Sequence, residues 1–412
     1  MPASEEALTE VGTVVVGAGH AGLAVSHLLT ARGIDHVVVD RDRVASNWRT
    51  ARWDSFTLLT PNWATWLPGW HYTGEDPHGF MGRGDVVSYL EEYADSFSAP
   101  VRSGVDVTEM TKDNGLFRLV TSQGDMTANN VVVATGPFQV PRIPDWAAAV
   151  PPALVQIHSS EYRSPAALPD GPVLVIGAGP SGQQIAEDLI RAGRATFLSV
   201  GRHRRVPRRY RGRDYFWWRE MGGSYEKTSE DVPLSAQRDG VSPALTGHGG
   251  GRDLDLLDLS SRGVGLLGRS IGVRGSQLVL QPDLAASIEE GNRAYREFTD
   301  WVEERLHRFH GLYGEPEPPP QFLEPPEPPE TLDLHRVATV IWATGFRLDF
   351  SRWIGVPVLD EGGYPIHHRG VTHIEGLYFL GLPWLHRLRS PFIRGAGEDA
   401  DHIVRHIVAR AG

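Results

Sequence analysis

The chain has 412 residues, 41% of them hydrophobic and 22% charged, which is typical of a globular protein large enough for two or more domains. Its net charge of -11 argues against a general binder of nucleic acid or anionic membrane, because either function needs a clustered positive surface. The chain contains no cysteine, which excludes a thiolate nucleophile, a disulfide framework and a thiolate metal site.

The N-terminal sequence MPASEEALTE is acidic and lacks an apolar core, so it predicts neither a secretion signal nor a transit peptide. No apolar run approaches the length that spans a bilayer. We therefore expect a cytoplasmic protein that does not bind membranes.

The first predicted unit is a strand, a glycine-rich turn, a helix and a second strand. A β-branched run over residues 11–16 predicts a buried parallel strand, and GxGxxG follows it at Gly17, Gly19 and Gly22. The second strand ends in Asp40. Such glycines let the backbone approach a pyrophosphate at a helix N-terminus, and the carboxylate accepts the ribose hydroxyls. The pattern predicts a dinucleotide site for an unphosphorylated ribose.

The second predicted unit repeats this order, with glycines at 177, 179 and 182. In place of the terminal acid it has Ser199 and Gly201, followed by Arg202, Arg204 and Arg205. Guanidinium groups suit phosphate geometry and no carboxylate repels a 2′-phosphate, so we predict NADPH here over NADH. The alternative is a solvated basic loop.

Two such units predict an α/β protein with two Rossmann-like domains, FAD in the first and NADPH in the second, the second inserted in the first. Residues 129–140 and 336–350 each contain an apolar strand ending in Ala-Thr-Gly. We interpret the repeat as the return of the chain to the FAD domain. The predicted divisions are 1–165 for the first part of the FAD domain, 166–332 for the NADPH domain and 333–412 for the return.

The predicted NADPH domain carries an insertion of different character. A basic aromatic segment, RRYRGRDYFWWREMGG, follows the arginine run, and residues 284–309 have the apolar spacing of a long amphipathic helix. Core packing is favoured for this helix over membrane contact. Residues 315–330 contain eight prolines and predict an extended linker. The insertion therefore predicts a helical and irregular lid.

The absence of cysteine also excludes disulfide reductases, which leaves a monooxygenase, a diaphorase-like reductase or an electron-transfer reductase. The sequence resembles class B flavin-dependent monooxygenases, particularly bacterial proteins described as potassium-transport flavoproteins and plant auxin-forming monooxygenases. The motifs that carry the resemblance span nearly the whole chain and are GAGHAGLA, SNWRTARWDSFTLLTPNW, GFMGRGDVVSYLEEYA, VVVATGPFQVPRIP, IHSSEYRSP, VIGAGPSGQQIAEDL, ATGFRLD and GLYFLGLPW.

The resemblance implies an oxidoreductase in which NADPH reduces FAD and dioxygen adds to flavin C4a to give a hydroperoxide. That adduct would oxygenate a small aromatic or nitrogen- or sulfur-bearing molecule. Its stability requires hydrogen bonds and exclusion of water. We expect a small-molecule substrate and dioxygen as partners, with no nucleic acid or membrane; an oligomer is left open.

The resemblance gives catalytic roles to Asn62, His158 and Tyr162. Asn62 matches a family asparagine whose amide approaches the flavin, and its alternative role is to form the turn after Pro61. The monooxygenase fingerprint reads Phe-x-Gly-x-x-x-His and ends in Tyr or Phe, or in Trp for Baeyer-Villiger enzymes. His158 and Tyr162 fit it, but Pro152 and Leu154 replace its Phe and Gly. The departure predicts weaker coupling of oxygen use and disfavours a Baeyer-Villiger enzyme.

Other site residues follow from the two units and the resemblance. The predicted cofactor-binding residues are Gly17, Gly19, His20, Ala21, Gly22, Asp40, Arg41, Asn47, Trp48, Asn62, Val107, Ala134, Thr135, Gly136, Gly177, Gly179, Pro180, Ser181, Gly182, Gln183, Arg202, Arg204, Arg205, Ala343, Thr344, Gly345, Gly381, Gly395 and Ala396. The last two would offer backbone amides of a helix N-terminus to the flavin. The predicted substrate residues are Trp63, Trp66, Trp217 and Trp218, for which ordinary packing is the alternative.

The histidines of YPIHHRGVTH predict a short hairpin, and we expect no metal site. Three functions stay open. The first is an NADPH-dependent FAD monooxygenase, and the second is an NADPH oxidase or reductase without productive oxygen transfer. The third is a redox-sensing accessory protein that contacts a partner through the basic aromatic segment.

Overall fold

The computed structural model describes residues 9–318 and 324–411, which form an α/β fold around two parallel sheets. The strands are β1 Thr9–Val16, β2 His36–Asp40, β3 Trp66–Leu67, β4 Trp70–His71, β5 Val101–Ser103, β6 Val107–Asp113, β7 Leu116–Thr121, β8 Met126–Val133, β9 Val140–Pro141, β10 Val155–His158, β11 Val173–Ile176, β12 Thr196–Ser199, β13 Arg209–Tyr210, β14 Arg213–Asp214, β15 Leu245–Thr246, β16 Arg252–Asp253, β17 Val264–Leu267, β18 Ser270–Arg274, β19 Gln277–Leu280, β20 Thr331–Asp333, β21 Thr339–Trp342, β22 Phe346–Arg347, β23 His367–His368, β24 Val371–Thr372 and β25 Leu377–Phe379. The α-helices are α1 His20–Thr30, α2 Ser46–Thr50, α3 Arg83–Ser96, α4 Pro180–Arg191, α5 Tyr215–Met221, α6 Leu234–Asp239, α7 Leu256–Ser261, α8 Leu284–Glu303 and α9 Ala396–Ala411.

The first sheet combines the two ends of the chain. Its order is β23-β24-β25-β8-β1-β2-β5, with the β6–β7 hairpin attached to β8. Strands β25, β8, β1, β2 and β5 run parallel, and helices α1 and α9 pack against each other beside them. The last four residues of β1, 13–16, are all buried because both faces of the strand are covered there, as in other parallel sheets.

The second sheet has the order β10-β21-β11-β12-β17, and all of its pairings are parallel. Strands β10 and β21 therefore belong to the second sheet. The divisions expected from the sequence had placed both in the FAD domain, β10 before residue 166 and β21 after residue 332. The chain returns to the first sheet only after β21. The insertion of the second unit within the first is present, with different limits.

The repeated Ala-Thr-Gly pattern has a local cause in each sheet. Strand β8 lies beside β1, and the carbonyl of Ala134 lies 2.6 Å from the position of a Cβ on Gly17. Strand β21 lies beside β11, and the carbonyl of Ala343 lies 2.5 Å from the position of a Cβ on Gly177. Each pattern thus closes its own glycine turn, so its second occurrence belongs to the second unit and does not mark the return.

The predicted lid forms a separate apolar cluster around α5 and α8, which includes Trp218, Phe298 and Val302. Helix α8 ends at Glu303, and a 3-10 turn continues it over Leu306–Arg308. In the proline-rich segment, residues 315–318 and 324–329 form no helix or strand, and residues 319–323 lie outside the described residues. Most of the N-terminal sequence that was considered as a signal also lies outside them. None of the helices formed by the described residues combines the length and apolar character needed to cross a membrane.

Candidate functional site

The carboxyl ends of both sheets open onto one continuous cleft of about 2420 Å³. Parallel α/β sheets place ligands at this edge. Among the predicted cofactor-binding residues, those that line it are Gly17, Gly19, His20, Ala21, Asp40, Arg41, Asn47, Trp48, Val107, Ala134, Thr135, Gly136, Gly177, Gly179, Pro180, Ser181, Arg202, Arg204, Ala343, Thr344, Gly345 and Gly381. Both glycine turns therefore face the same space.

The first glycine turn leaves room for a phosphate group. Gly19 caps α1 without a side-chain hydrogen bond, and a Cβ there would meet nothing within 4 Å, so its amide side is open to the cleft. His20 lines the cleft, burial lowers its pKa to about 4, and its Nε2 has no hydrogen-bond partner among the described residues. A neutral imidazole and free helix amides fit a pyrophosphate.

Asp40 lies at the end of β2 and reaches the same part of the cleft. Its Oδ2 accepts from the backbone N–H of Ala18 at 2.7 Å and its Oδ1 from that of Asp42 at 3.0 Å. Burial raises the pKa of this carboxyl, and the two amides oppose that shift. The fixed carboxylate keeps lone pairs for ribose hydroxyls, which fits an unphosphorylated ribose.

The second glycine turn has the same open cap and a different polar neighbour. Gly179 caps α4, and a Cβ there would also meet nothing within 4 Å. Arg202 and Arg204 line the cleft, and neither forms an ion pair with a described residue. Two cations without carboxylate partners fit a phosphorylated ribose.

Arg205 does not join them, contrary to the sequence expectation. Its guanidinium is buried, donates to Asn292 Oδ1 at 2.7 Å, pairs with Asp255 at 2.5 Å and lies over the ring of Tyr295. This arginine fixes the basic loop to the lid. Arg202 and Arg204 thus face the cleft, whereas Arg205 has a structural role.

Three further predicted residues lie beneath the turns and not on the cleft wall. A Cβ on Gly22 or Gly182 would lie 1.8 Å from the carbonyl of Gly17 or Gly177, so both glycines permit the close approach of helix and strand. Gln183 donates to the carbonyl of Ala178 at 2.7 Å inside its own turn.

His158 is fully buried and positions the second Ala-Thr-Gly turn. Its Nε2 donates to the carbonyl of Gly345 at 3.0 Å, and its Nδ1 accepts from the hydroxyl of Ser160 at 2.9 Å. Its ring packs on Phe346 with centroids 4.7 Å apart, and burial lowers its pKa, so the ring is neutral. His158 does not line the cleft, whereas Gly345 and Ser160 do.

Tyr162 is also fully buried, and it does not line the cleft. Its hydroxyl donates to Asp188 Oδ2 at 2.7 Å, and burial raises its pKa above the ordinary value. The fingerprint residues His158 and Tyr162 therefore support the NADPH unit from within, and the expected direct catalytic roles find no support in their geometry.

The Asn62 side chain holds a loop together through bonds to residues well beyond the turn after Pro61. Its Nδ2 donates to the carbonyl of Asp76 at 2.9 Å, and its Oδ1 accepts from the amide of Met81 at 2.8 Å. The residue is buried and absent from the cleft wall, although Thr60 lines it. The amide is thus already engaged on both sides.

The predicted substrate tryptophans pack in the protein interior or at its surface and do not line the cleft. Trp217 and Trp218 stack edge to face with centroids 4.8 Å apart, and Trp63 joins the same lid cluster. Trp66 lies below Arg394. Trp48 and Trp53 do line the cleft, together with Trp353 and Trp384, which the sequence reasoning did not select.

The C-terminal helix contributes through the residues before it. Pro391, Phe392 and Ile393 line the cleft, whereas Gly395 and Ala396 do not. A Cβ on Gly395 would lie 1.8 Å from the carbonyl of Arg389, so this glycine permits a tight turn. The cleft is thus lined just before the two residues expected to offer their amides to the flavin, and that role stays a prediction.

Arg52 is a cleft residue that the sequence reasoning missed. It has aromatic neighbours on three sides, with its guanidinium 5.5 Å from the ring centre of Trp48, 5.6 Å from that of Phe56 and 5.1 Å from that of Phe138. Burial lowers its pKa to about 10, so it stays charged at neutral pH. The signal in the sequence was an arginine within a cluster of aromatic residues.

The histidines of the C-terminal hairpin occupy short antiparallel strands, with His367 paired to Thr372. Burial lowers the pKa of His367 to about 4. Over residues 9–318 and 324–411, no group of three or more histidine, aspartate or glutamate side chains could hold a metal ion.

Comparison with known proteins agrees with this geometry. Residues 14–211 match the family described as pyridine nucleotide-disulphide oxidoreductase. The chain is 34% identical over 401 residues to an uncharacterized CzcO-like oxidoreductase of Geobacillus kaustophilus, covering 97% of this chain and 98% of that protein. It is 36% identical over 197 residues to an indole-3-pyruvate monooxygenase of Oryza sativa, covering 47% of this chain and 48% of the relative.

Among solved structures, a flavin-containing monooxygenase from Stenotrophomonas maltophilia shares the fold, with a TM-score of 0.65 and 20% identity over 98% of this chain and all of that one (100%). The present chain contains no cysteine, so the thiol pair that the first family name implies is missing from it. The chain therefore belongs to the CzcO-like oxidoreductases of the class B flavin-dependent monooxygenase-like family.

Proposed function

We propose that this protein is an NADPH-dependent FAD monooxygenase that oxygenates a small aromatic or nitrogen- or sulfur-containing molecule. FAD would bind at the turn before α1 and NADPH at the turn before α4. The observation that carries the proposal is the cleft onto which both turns open, with a carboxylate beside the first. Beside the second lie two arginines that form no ion pair with a described residue.

The bound cofactors would supply hydride transfer and activation of dioxygen, and the protein supplies placement and a dry wall. His158 fixes the carbonyl of Gly345 in the Ala-Thr-Gly turn, and the first residue of that turn, Ala343, packs against Gly177 of the NADPH turn. Trp48, Trp53 and Phe56 line the cleft, and their apolar rings would help to exclude water around the bound cofactors. Arg52 adds a positive charge in this apolar wall, where it would stabilise negative charge that develops during reduction.

A second function, an NADPH oxidase without productive oxygen transfer, is favoured by one observation. The Asn62 amide that the family resemblance would place at the flavin is bonded to the carbonyl of Asp76 and the amide of Met81. The hydrogen bond that this amide would give to activated oxygen would then be lacking. Water reaching that oxygen would release peroxide.

The deciding experiment measures NADPH consumption, hydrogen peroxide release and incorporation of isotope-labelled oxygen into product, across a panel of aromatic acids, amines and thioethers. The monooxygenase predicts at least one compound for which NADPH consumption exceeds peroxide release and one labelled oxygen atom enters the product. Equal NADPH consumption and peroxide release with every compound would reject it and favour the oxidase.

A further inference from the structure

Helix α5 brings a cation without a carboxylate partner to the cleft wall. Arg219 is half-buried and lines the cleft, and its guanidinium forms no ion pair or hydrogen bond with a described residue. The guanidinium carbon lies 5.9 Å from the centre of the Tyr215 ring. The proposed cofactor sites do not use this arginine.

Two carboxylates close to Arg219 in sequence are neutralised by other arginines. Glu220 pairs with Arg394 at 2.9 Å, and Glu226 pairs with Arg387 and Arg389 at 2.9 and 3.0 Å. The positive charge of Arg219 is therefore left for a ligand. A half-buried cation in an apolar wall attracts an anion more strongly than one in water.

Two phenol hydroxyls accompany it. Tyr215 and Tyr225 are each only 4% exposed and line the cleft, and neither hydroxyl has a hydrogen-bond partner among the described residues. Burial raises the pKa of Tyr225 well above its ordinary value, so its hydroxyl remains a donor. The rings of Phe216 and Phe392 complete an aromatic wall around these polar groups.

The position of α5 is fixed from below. Asp214 caps the helix by accepting from the amide of Phe216 at 2.8 Å, and it pairs with the buried Arg208 at 3.2 Å. Arg208 in turn donates to the carbonyl of Leu59 at 2.7 Å, in the loop that lines the flavin side of the cleft. Arg219 thus sits on a rigid element tied to the proposed flavin site.

We propose that Arg219, with the hydroxyls of Tyr215 and Tyr225, binds the carboxylate of an aromatic acid that serves as the substrate. A planar guanidinium binds a carboxylate through two parallel hydrogen bonds, and the surrounding rings bury the aromatic part. The inference that this acid is a substrate rests on the proposed function. The anion subsite itself concerns binding alone.

The test titrates FAD-loaded full-length protein, saturated with NADP+, with 3-phenylpropionate and with its neutral isostere 3-phenylpropionamide, followed by flavin difference absorbance. The wild type should bind the acid at least about tenfold more tightly than the amide. R219Q should lose about tenfold or more in affinity for the acid and much less for the amide, with R219K in between. Y225F should lose a few-fold for the acid.

The matched control is R213Q. Arg213 lies on the same lid and stacks on Trp217, but it does not line the cleft, so its replacement should leave both affinities unchanged. Acid and amide affinities that are equal in the wild type, or that fall equally in R219Q, would overturn the subsite. A matching loss of NADPH affinity in R219Q would do so too, by placing the arginine at the cofactor.

These titrations involve no turnover. An absence of labelled oxygen in any product would therefore reject the proposed function and leave the anion subsite standing. A labelled product from neutral compounds with no preference for the acid would reject the subsite alone.

Discussion

The two dinucleotide units use one backbone device with different polar groups around it. Gly17 and Gly177 have φ values of 112° and 107°, and in each unit the carbonyl after the neighbouring strand leaves no room for a Cβ. The helix caps Gly19 and Gly179 are equally open. Because the backbone is nearly identical, the choice of cofactor has to come from the side chains at the ends of the following strands.

Those strand ends differ in direction as well as in charge. Asp40 faces the cleft, whereas Ser199 turns away from it, donating to the carbonyl of Gly268 at 3.0 Å and accepting from the amide of Ser270 at 3.0 Å. The space that a carboxylate would occupy in the second unit is thereby left to Arg202 and Arg204. A substitution that affects one unit and not the other can test this contrast.

The largest effect should come from valine at the two helix caps. A Cβ at Gly19 or Gly179 would meet no described atom within 4 Å, and both glycines line the cleft. We expect G19V to purify with less than about a tenth of the wild-type flavin content, because the branched side chain blocks a pyrophosphate from the helix amides. G179V should keep its flavin and show a KM for NADPH raised by about 100-fold or more.

Flavin absorbance per protein and steady-state NADPH oxidation measure these outcomes. The control is G84A in α3, where a Cβ also meets nothing within 4 Å and no cleft residue is involved. Loss of flavin from G179V with flavin retained in G19V would reverse the assignment of the two units.

The next effect concerns the second unit alone. Replacing Arg202 and Arg204 together with glutamine should lower kcat/KM for NADPH by about 100-fold, since each charge-assisted hydrogen bond to a phosphate is worth about tenfold. The value for NADH should change little, and flavin content should stay constant. Equal losses for NADPH and NADH would show that the arginines support the loop and do not select the 2′-phosphate.

A smaller effect distinguishes the first residue of the two helices, His20 in α1 and Pro180 in α4. The pKa of His20 is lowered from 6.5 to about 4 by burial, so the unfolded chain binds more protons between these values. Folding should therefore lose about 1 to 2 kcal/mol through this residue as the pH falls from about 7 to 5.

Thermal unfolding at several pH values measures this loss, and H20N supplies the comparison because it cannot titrate. Its melting temperature should fall less between these pH values than that of the wild type. Parallel curves for the two proteins would mean that His20 does not carry the acid sensitivity.

The sequence predicted the parts of the site that depend on local patterns. Each glycine turn, Asp40 and two of three arginines lie on the cleft as expected, because strand, turn and helix are adjacent in the chain. It misplaced β21, since the same Ala-Thr-Gly pattern closes both units and does not show which sheet it joins.

The sequence also could not predict the direction in which each side chain points. Asn62 binds Asp76 and Met81, and Tyr162 binds Asp188. These partners lie 14 to 26 positions away in the sequence. No periodicity specifies such partners, so residues that match a catalytic motif could not be told from residues that support it. Arg219 was missed for the same reason, because only the three-dimensional structure shows that its guanidinium has no ion-pair partner within residues 9–318 and 324–411.

The smallest expected effect tests that distinction inside the fingerprint. Y162F removes a buried hydrogen bond to Asp188 Oδ2, while Ser55 and Arg191 still bond to Oδ1, so unfolding should become easier by about 1 kcal/mol. Peroxide release per NADPH should not change, because Tyr162 does not reach the cleft. Denaturant unfolding and a peroxide assay measure the two quantities on the same preparation. A rise in peroxide release without a loss of stability would show that Tyr162 acts at the reacting centre. It would also show that this residue does not stabilise the second unit.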